Sequence, residues 1–265
     1  MTMTYRQPLG ILIVFLMWFA GVHQARADGH HLQFSAEAVQ IVPDRPANTM
    51  RMFIGEHAVR TEYMMGEQLV AEIIEPEKKR RILLIPYQRT YMEQVTEKMP
   101  RLQFGKRPNL ANPCADMEGV TCQRLGEEVV NGRPAVKWVF VSQFQGQTMK
   151  STHWIDKARG LAIREQFPDG TRTELKLIAE EMLGKRKTEK WELQVVGKDG
   201  RKTTSLQWYD PELQVTIREE LPGGYVRELR NIKVGPQPPG LFEVPPGYQK
   251  VATPRQTYGN LQQKP

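Results

Sequence analysis

Three groups of residues in this sequence have types and spacings that could do chemistry. If a cut falls after Ala27, Asp28-Gly29-His30 becomes the start of the chain. A free α-amine, two backbone amides and a third-position imidazole can wrap Cu(II) or Ni(II) in a square plane of nitrogens. Cys114 and Cys122 are the two cysteines. Their spacing is neither the redox C-x-x-C nor a zinc pattern, so in an oxidising compartment they are expected to pair as a structural disulfide. Asp156 and Asp210 form the third group, a pair of carboxylates for acid–base work. Each opens a turn, Asp156-Lys157-Ala158-Arg159-Gly160 in the first case, and that context favours turn chemistry.

Histidine is scarce: His30, His31, His57 and His153 are the ones beyond residue 27. None stands beside a plausible nucleophilic Ser or Cys, and no G-x-S-x-G, HExxH or phosphate-cradling glycine loop occurs. The sequence therefore predicts a non-catalytic protein without a cofactor. Trp138, Phe140, Trp154, Trp191 and Trp208 are the best candidates for lining a hydrophobic site, with core filling as their competing role. Met50-Arg51-Met52 and Met64-Met65 read as core filler on alternating strands. Glu165 and Glu219 share the side of Ile163 and Ile217. They are expected at a cavity rim or, the preferred reading, paired with a cross-strand base.

The elements that must position these residues come in three parts. Residues 1–27 read as a signal peptide: Arg6, then the uncharged stretch Pro8–Val22, then Ala25-Arg26-Ala27 as a cleavage pattern. The apolar stretch is shorter than the roughly 20 residues that span a bilayer. The expected location is the bacterial periplasm. Residues 28–250 read as a single domain, and 251–265 as a polar, mobile tail. The net charge of +7, from 37 Lys+Arg against 30 Asp+Glu, falls by two on cleavage. That mild excess excludes a nucleic-acid stripe and favours transient contact with anionic membrane surfaces.

Within the domain, period-two alternation dominates. Phe34, Ala36 and Ala38 share one face of a strand, and Met50, Met52 and Ile54 share one face of the next. Asn131-Gly132 is a strong hairpin signal. Short helical patterns are confined to Glu97–Phe104 and Ala179–Lys187. Trp154 to Ile178 can be laid on Trp208 to Ile232 at a constant shift of 54, with ten of 25 positions identical. One residue fewer upstream, Lys137-Trp138 matches Lys190-Trp191, so an internal repeat is expected over about 137–178 and 190–232. Val59-Arg60, Gly66 and Ile74 suggest a fainter copy at a shift of 104. Stacked meanders should make one long antiparallel sheet, and a sheet of that length must curl.

The order of several short motifs carries a resemblance. Phe34-Ser35-Ala36-Glu37-Ala38 is followed by Val59-Arg60-Thr61-Glu62-Tyr63, Ile85-Pro86 and Thr90-Tyr91-Met92-Glu93. Cys122, Leu125-Gly126, Glu128, Val130-Asn131-Gly132-Arg133 and Lys137-Trp138 come next, and Leu241-Phe242-Glu243-Val244-Pro245-Pro246-Gly247-Tyr248 closes the run. Over about residues 31–250 the chain resembles secreted bacterial domains of unknown function related to the LolA/LolB-like lipoprotein-carrier superfamily. The resemblance implies an incomplete β-barrel around an apolar cavity, and a carrier or sensor of acyl chains rather than an enzyme. The chain departs from the pattern in lacking a clear N-terminal helix and in having the Cys114–Cys122 loop.

The expected fold is mainly β, a curved antiparallel half-barrel with few short helices. The expected function is non-catalytic binding or carriage of a hydrophobic ligand, such as a lipid or a lipoprotein acyl chain. An envelope protein-interaction or stress-sensing module, with a protein partner, is the first alternative. A copper-handling protein using Asp28, Gly29 and His30 is the second.

Overall fold

The computed structural model describes residues 32–95, 109–115, 117–144 and 146–252. The signal-peptide segment, Asp28-Gly29-His30, the helical pattern at Glu97–Phe104 and the tail from residue 253 lie outside the described residues. Six strands make a first arm: β1 (Phe34–Ile41), β2 (Asn48–Ile54), β3 (Val59–Met65), β4 (Gln68–Glu75), β5 (Arg80–Ile85) and β6 (Thr90–Val95). Nine make a second: β7 (Val120–Val130), β8 (Arg133–Phe144), β9 (Gln147–Asp156), β10 (Ala162–Gln166), β11 (Arg172–Leu183), β12 (Arg186–Val196), β13 (Lys202–Asp210), β14 (Val215–Leu221) and β15 (Tyr225–Val234). The short β16 (Gln249–Lys250) pairs in parallel with β6.

All of these strands lie in one open, curved, mainly antiparallel sheet, ordered β16-β6-β5-β4-β3-β2-β1-β15-β14-β13-β12-β11-β10-β9-β8-β7. Each arm is a meander of sequence neighbours. The arms join where β1 pairs with β15, so the first and penultimate strands meet in mid-sheet. Consecutive β6 and β7 lie towards opposite edges. Among the described residues the helical content is two 3-10 turns, Pro86–Gln88 and Pro239–Phe242. The mainly β half-barrel is thus the fold that the alternation predicts.

The arm junction carries the largest apolar cluster, with Phe34, Ala38 and Met52 from the first arm against Ile217 and Leu229 from the second. Burying such side chains contributes roughly 1.5–3 kcal/mol each, which offsets the entropy of closing so long a loop. A second cluster, Ala71, Ile73, Ile82 and Leu84, is covered by Phe242, Val244 and Tyr248 of the C-terminal segment. Gly55 permits that cover, because a Cβ there would stand 2.6 Å from the Phe242 ring. Asn131 and Gly132 (φ 51° and 74°) turn β7 into β8, as their dipeptide predicts.

Two expectations need correction. Ala179–Lys187 is not helical: it is the end of β11, a turn at Gly184 (φ 61°) and the start of β12. A β-bulge between Leu177 and Ala179 breaks the alternation, and the break imitates a helical period. Met64 and Met65 are not core filler. They are 57% and 48% exposed, because they sit at the tip of the β3–β4 hairpin, beyond the buried stretch. Met50 and Met52 are buried in the core as expected.

Candidate ligand-binding face

The register sorts the aromatic residues onto opposite faces. Across neighbouring strands Trp138 stands opposite His153, His153 opposite Glu165, and Glu165 opposite Thr173. Phe140 stands opposite Ser151, Leu175 opposite Leu193, and Leu177 opposite Trp191. Directly opposed residues share a face, so these residues lie on one side of β8–β12. Lys137, Trp154, Arg164 and Glu174 form a row on the other side, as do Lys190, Trp208, Arg218 and Glu228. Of the five candidate residues, parity puts Trp138, Phe140 and Trp191 on one face, but packing divides them: Trp138 and Phe140 lie with Val136 and Ile155, whereas Trp191 lies in a cluster with Trp154, Ile163 and Leu175. Trp154 and Trp208 are placed on the opposite face.

Trp154 is buried in an apolar cluster with Ala135, Ile163, Leu175 and Trp191, and its polar edge is fully paired. Trp154 Nε1 donates to Glu128 Oε2 at 2.7 Å, and Lys137 and Arg164 approach its ring at 4.8 and 5.7 Å from the centroid. Trp208 has the same surroundings: its indole N–H donates to Glu181, with Lys190 and Arg218 at 4.6 and 5.5 Å. Cation–π contact of this kind contributes about 0.5–1 kcal/mol per cation at such half-exposed sites. The arrangement ties neighbouring strands together through their side chains.

The buried aspartates serve the same framework. Arg133 Nε donates to Asp156 Oδ2 at 2.7 Å and Nη2 to Oδ1 at 3.1 Å, while the Arg159 backbone N–H caps the same carboxylate. Asp210 pairs with Arg186 and accepts the backbone N–H groups of Glu212 and Leu213 at 2.9 and 3.0 Å. Turn chemistry accounts for both aspartates, with an arginine partner that the sequence reading missed. The available signal was that Arg133 and Arg186 match at the same offset as Lys137 and Lys190.

The Trp138 side mixes apolar and polar groups. Trp138 and Trp191 are buried, Phe140 is half-buried beside Trp138, and Leu177 and Leu193 are half-buried beside Trp191. Amid them runs a hydrogen-bonded chain. The Ser151 hydroxyl lies 2.7 Å from His153 Nε2, His153 Nδ1 lies 3.0 Å from Glu165 Oε1, and the Thr173 hydroxyl donates to Glu165 Oε2 at 2.7 Å. Burial disfavours the charged form of Glu165, but the bonds from His153 and Thr173 prevail and hold its carboxyl below the ordinary glutamate value. The Phe140 ring stacks at a tilt on His153, 4.2 Å between centroids.

Sequence reading passed over this chain because it sought a serine and a histidine joined by a known motif. On a strand, residues two apart share a face, and that is how Ser151 meets His153. Glu165 is paired with a cross-strand base, as preferred. Glu219 stands 3.8 Å from Arg227, also across the ladder. Burial is the larger influence on Glu219, and its carboxyl is pushed above the ordinary value.

Cys114 and Cys122 are disulfide-bonded. The bond ties the segment before β7 to the sheet, and Leu110 of that segment packs with Cys122 against Val136, Trp138 and Ile155. No group of three or more metal-ligating side chains is found among the described residues.

No protein-family model matches the chain, and no curated protein does. Solved structures similar to it include a LolA superfamily protein from Nitrosomonas europaea, at 12% identity and TM-score 0.35, covering 82% of this chain and 92% of that one. A putative outer membrane lipoprotein-sorting protein domain from Vibrio parahaemolyticus is similar at 11% identity and TM-score 0.35, over 81% and 90% of the two chains. The Pseudomonas aeruginosa MucA/MucB complex structure includes a chain similar at 13% identity and TM-score 0.20, over 80% and 91%.

Proposed function

We propose that the protein binds or carries a hydrophobic ligand, a lipid or a lipoprotein acyl chain, in the periplasm, without catalysing a reaction. The observation that carries this reading is the in-register set Trp138, Phe140, Leu175, Leu177, Trp191 and Leu193 on one face of β8–β12. Three of these side chains are half-buried and have apolar surface to offer. Covering such surface is favourable at roughly 25 cal/mol per Å², which an acyl chain supplies without needing directed contacts. On the other side lysine and arginine stand over the Trp154 and Trp208 rings. The signal-peptide pattern of residues 1–27 supports the periplasmic location, and the net positive charge supports passing contact with anionic membranes.

The test is native mass spectrometry of the protein purified from its own periplasm, followed by solvent extraction. Co-purifying lipid is the expected result. Protein of bare mass with no extractable lipid would turn the reading towards an envelope interaction module, whose partner is a protein.

A further inference from the structure

Trp138 holds the one buried side-chain polar atom without a hydrogen-bond partner among the described residues, its indole Nε1. The side chain is 4% exposed, so water does not reach the N–H from outside. Leaving such a donor unmet is costly, because it has given up its bond to water and gained none in exchange. Trp191 is its counterpart in the matching stretch and does not bear that cost: its Nε1 donates to Glu189 Oε2 at 3.3 Å. Glu189 lies two residues before Trp191 on the same strand. The residue two before Trp138 is Val136, which has no acceptor. Opposite Trp138 on the same face stands His153, hydrogen-bonded to Ser151 and Glu165.

We propose that the Trp138 indole N–H is the polar anchor of the acyl site and takes the carbonyl oxygen of a neutral acyl ester. This inference rests on the hydrophobic-ligand reading above and specifies the ligand's head group. The donor calls for an oxygen acceptor. Glu165, one strand beyond His153, carries a negative charge that repels a free carboxylate, whereas an ester carbonyl presents the same acceptor without the charge. Phe140, beside Trp138 on β8 and packed on the same cluster, offers half-buried apolar surface where the chain begins. Leu110 packs on the cluster that holds Trp138 and adds apolar surface beside it.

The experiment follows the indole N–H resonances of Trp138, Trp154, Trp191 and Trp208 in 15N-labelled protein. Two probes are titrated: methyl oleate, and 1-octadecene as a chain of similar length without oxygen. We expect methyl oleate to move the Trp138 resonance downfield and 1-octadecene to leave it in place. W138F should bind methyl oleate about five-fold more weakly, the worth of one hydrogen bond, and 1-octadecene unchanged. V136Q, which restores an internal acceptor in the Glu189 position, should weaken methyl oleate to a similar extent. If methyl oleate binds with the Trp138 resonance unmoved, or if W138F weakens both probes equally, Trp138 is only an apolar wall and the proposal falls. If neither probe binds the wild-type protein, the hydrophobic-ligand reading itself fails, a result distinct from loss of the ester preference.

Discussion

Glu165 and Glu219 occupy matching places fifty-four residues apart, each after an Ile-Arg pair, yet the fold treats their protons in opposite ways. Glu165 meets His153 on one side and Thr173 on the other, and its carboxyl is held low. At the corresponding positions Glu219 meets Gln207 and Arg227, the arginine at 3.8 Å, and burial pushes its carboxyl up. Around them the framework is nearly the same: an Asp–Arg pair at one end, and a tryptophan between lysine and arginine on the far side. The comparison separates what the matched stretches keep from what they vary. They keep the groups that hold strands together, and vary the polar groups on the Trp138–Trp191 face. The varied groups are where a site particular to one stretch should be sought.

The largest expected effects test the common framework. Asp156→Ala and Asp210→Ala each remove the partner of a half-buried arginine and leave backbone N–H groups unmet. Each should cost about 3 kcal/mol in urea unfolding, and by similar amounts if the two frameworks are alike. A large inequality would break the comparison. Reducing the Cys114–Cys122 disulfide should cost roughly 2–3 kcal/mol, on the entropy of so short a loop. Because only the first stretch is tethered in this way, amide exchange should rise around β7 and β8 and stay unchanged in β12–β15.

Smaller effects, of opposite sign, sharpen the difference between the glutamates. Glu165→Gln should destabilise by roughly 1–2 kcal/mol at pH 7, through loss of hydrogen bonds to a charged acceptor. The lowered carboxyl contributes stability that is complete above the ordinary glutamate value and is lost as pH falls through its folded value. The deficit should therefore shrink in acid. Glu219→Gln should stabilise at pH 7, since a raised carboxyl costs stability once it is forced to ionise. That advantage should disappear as pH drops below about 4.3, where both folded and unfolded forms are protonated. Urea unfolding of the three proteins from about pH 2.5 to pH 8 measures both slopes, the Glu165 one below the ordinary glutamate value and the Glu219 one above it; parallel curves for the two variants would contradict the contrast.

Sequence made the strands and the Asn131-Gly132 hairpin legible, because alternation and turn residues are local signals. It did not make the junction of β1 with β15 legible, since nothing in Phe34–Ile41 specifies a partner nearly two hundred residues away. Bulges at Leu177–Ala179 and Trp208–Tyr209 shift the alternation by one residue, so face assignment from sequence parity fails beyond them. The five aromatic residues read as one lining set divide three and two for another reason: the registers set Trp154 opposite Lys137 and Trp208 opposite Lys190, not opposite Trp138 and Trp191. The Ser151–His153–Glu165 chain needed the β9–β10 register as well as the spacing. The unmet Trp138 N–H was visible only as a difference, Val136 standing where the matching stretch has Glu189.

The central claim is that one face of β8–β12 takes the ligand and the other does not. The most direct measurement is paramagnetic broadening of the four indole resonances by an acyl chain bearing a nitroxide near its midpoint. The account predicts stronger broadening of Trp138 and Trp191 than of Trp154 and Trp208. Equal broadening of all four, or stronger broadening of Trp154 and Trp208, would contradict it.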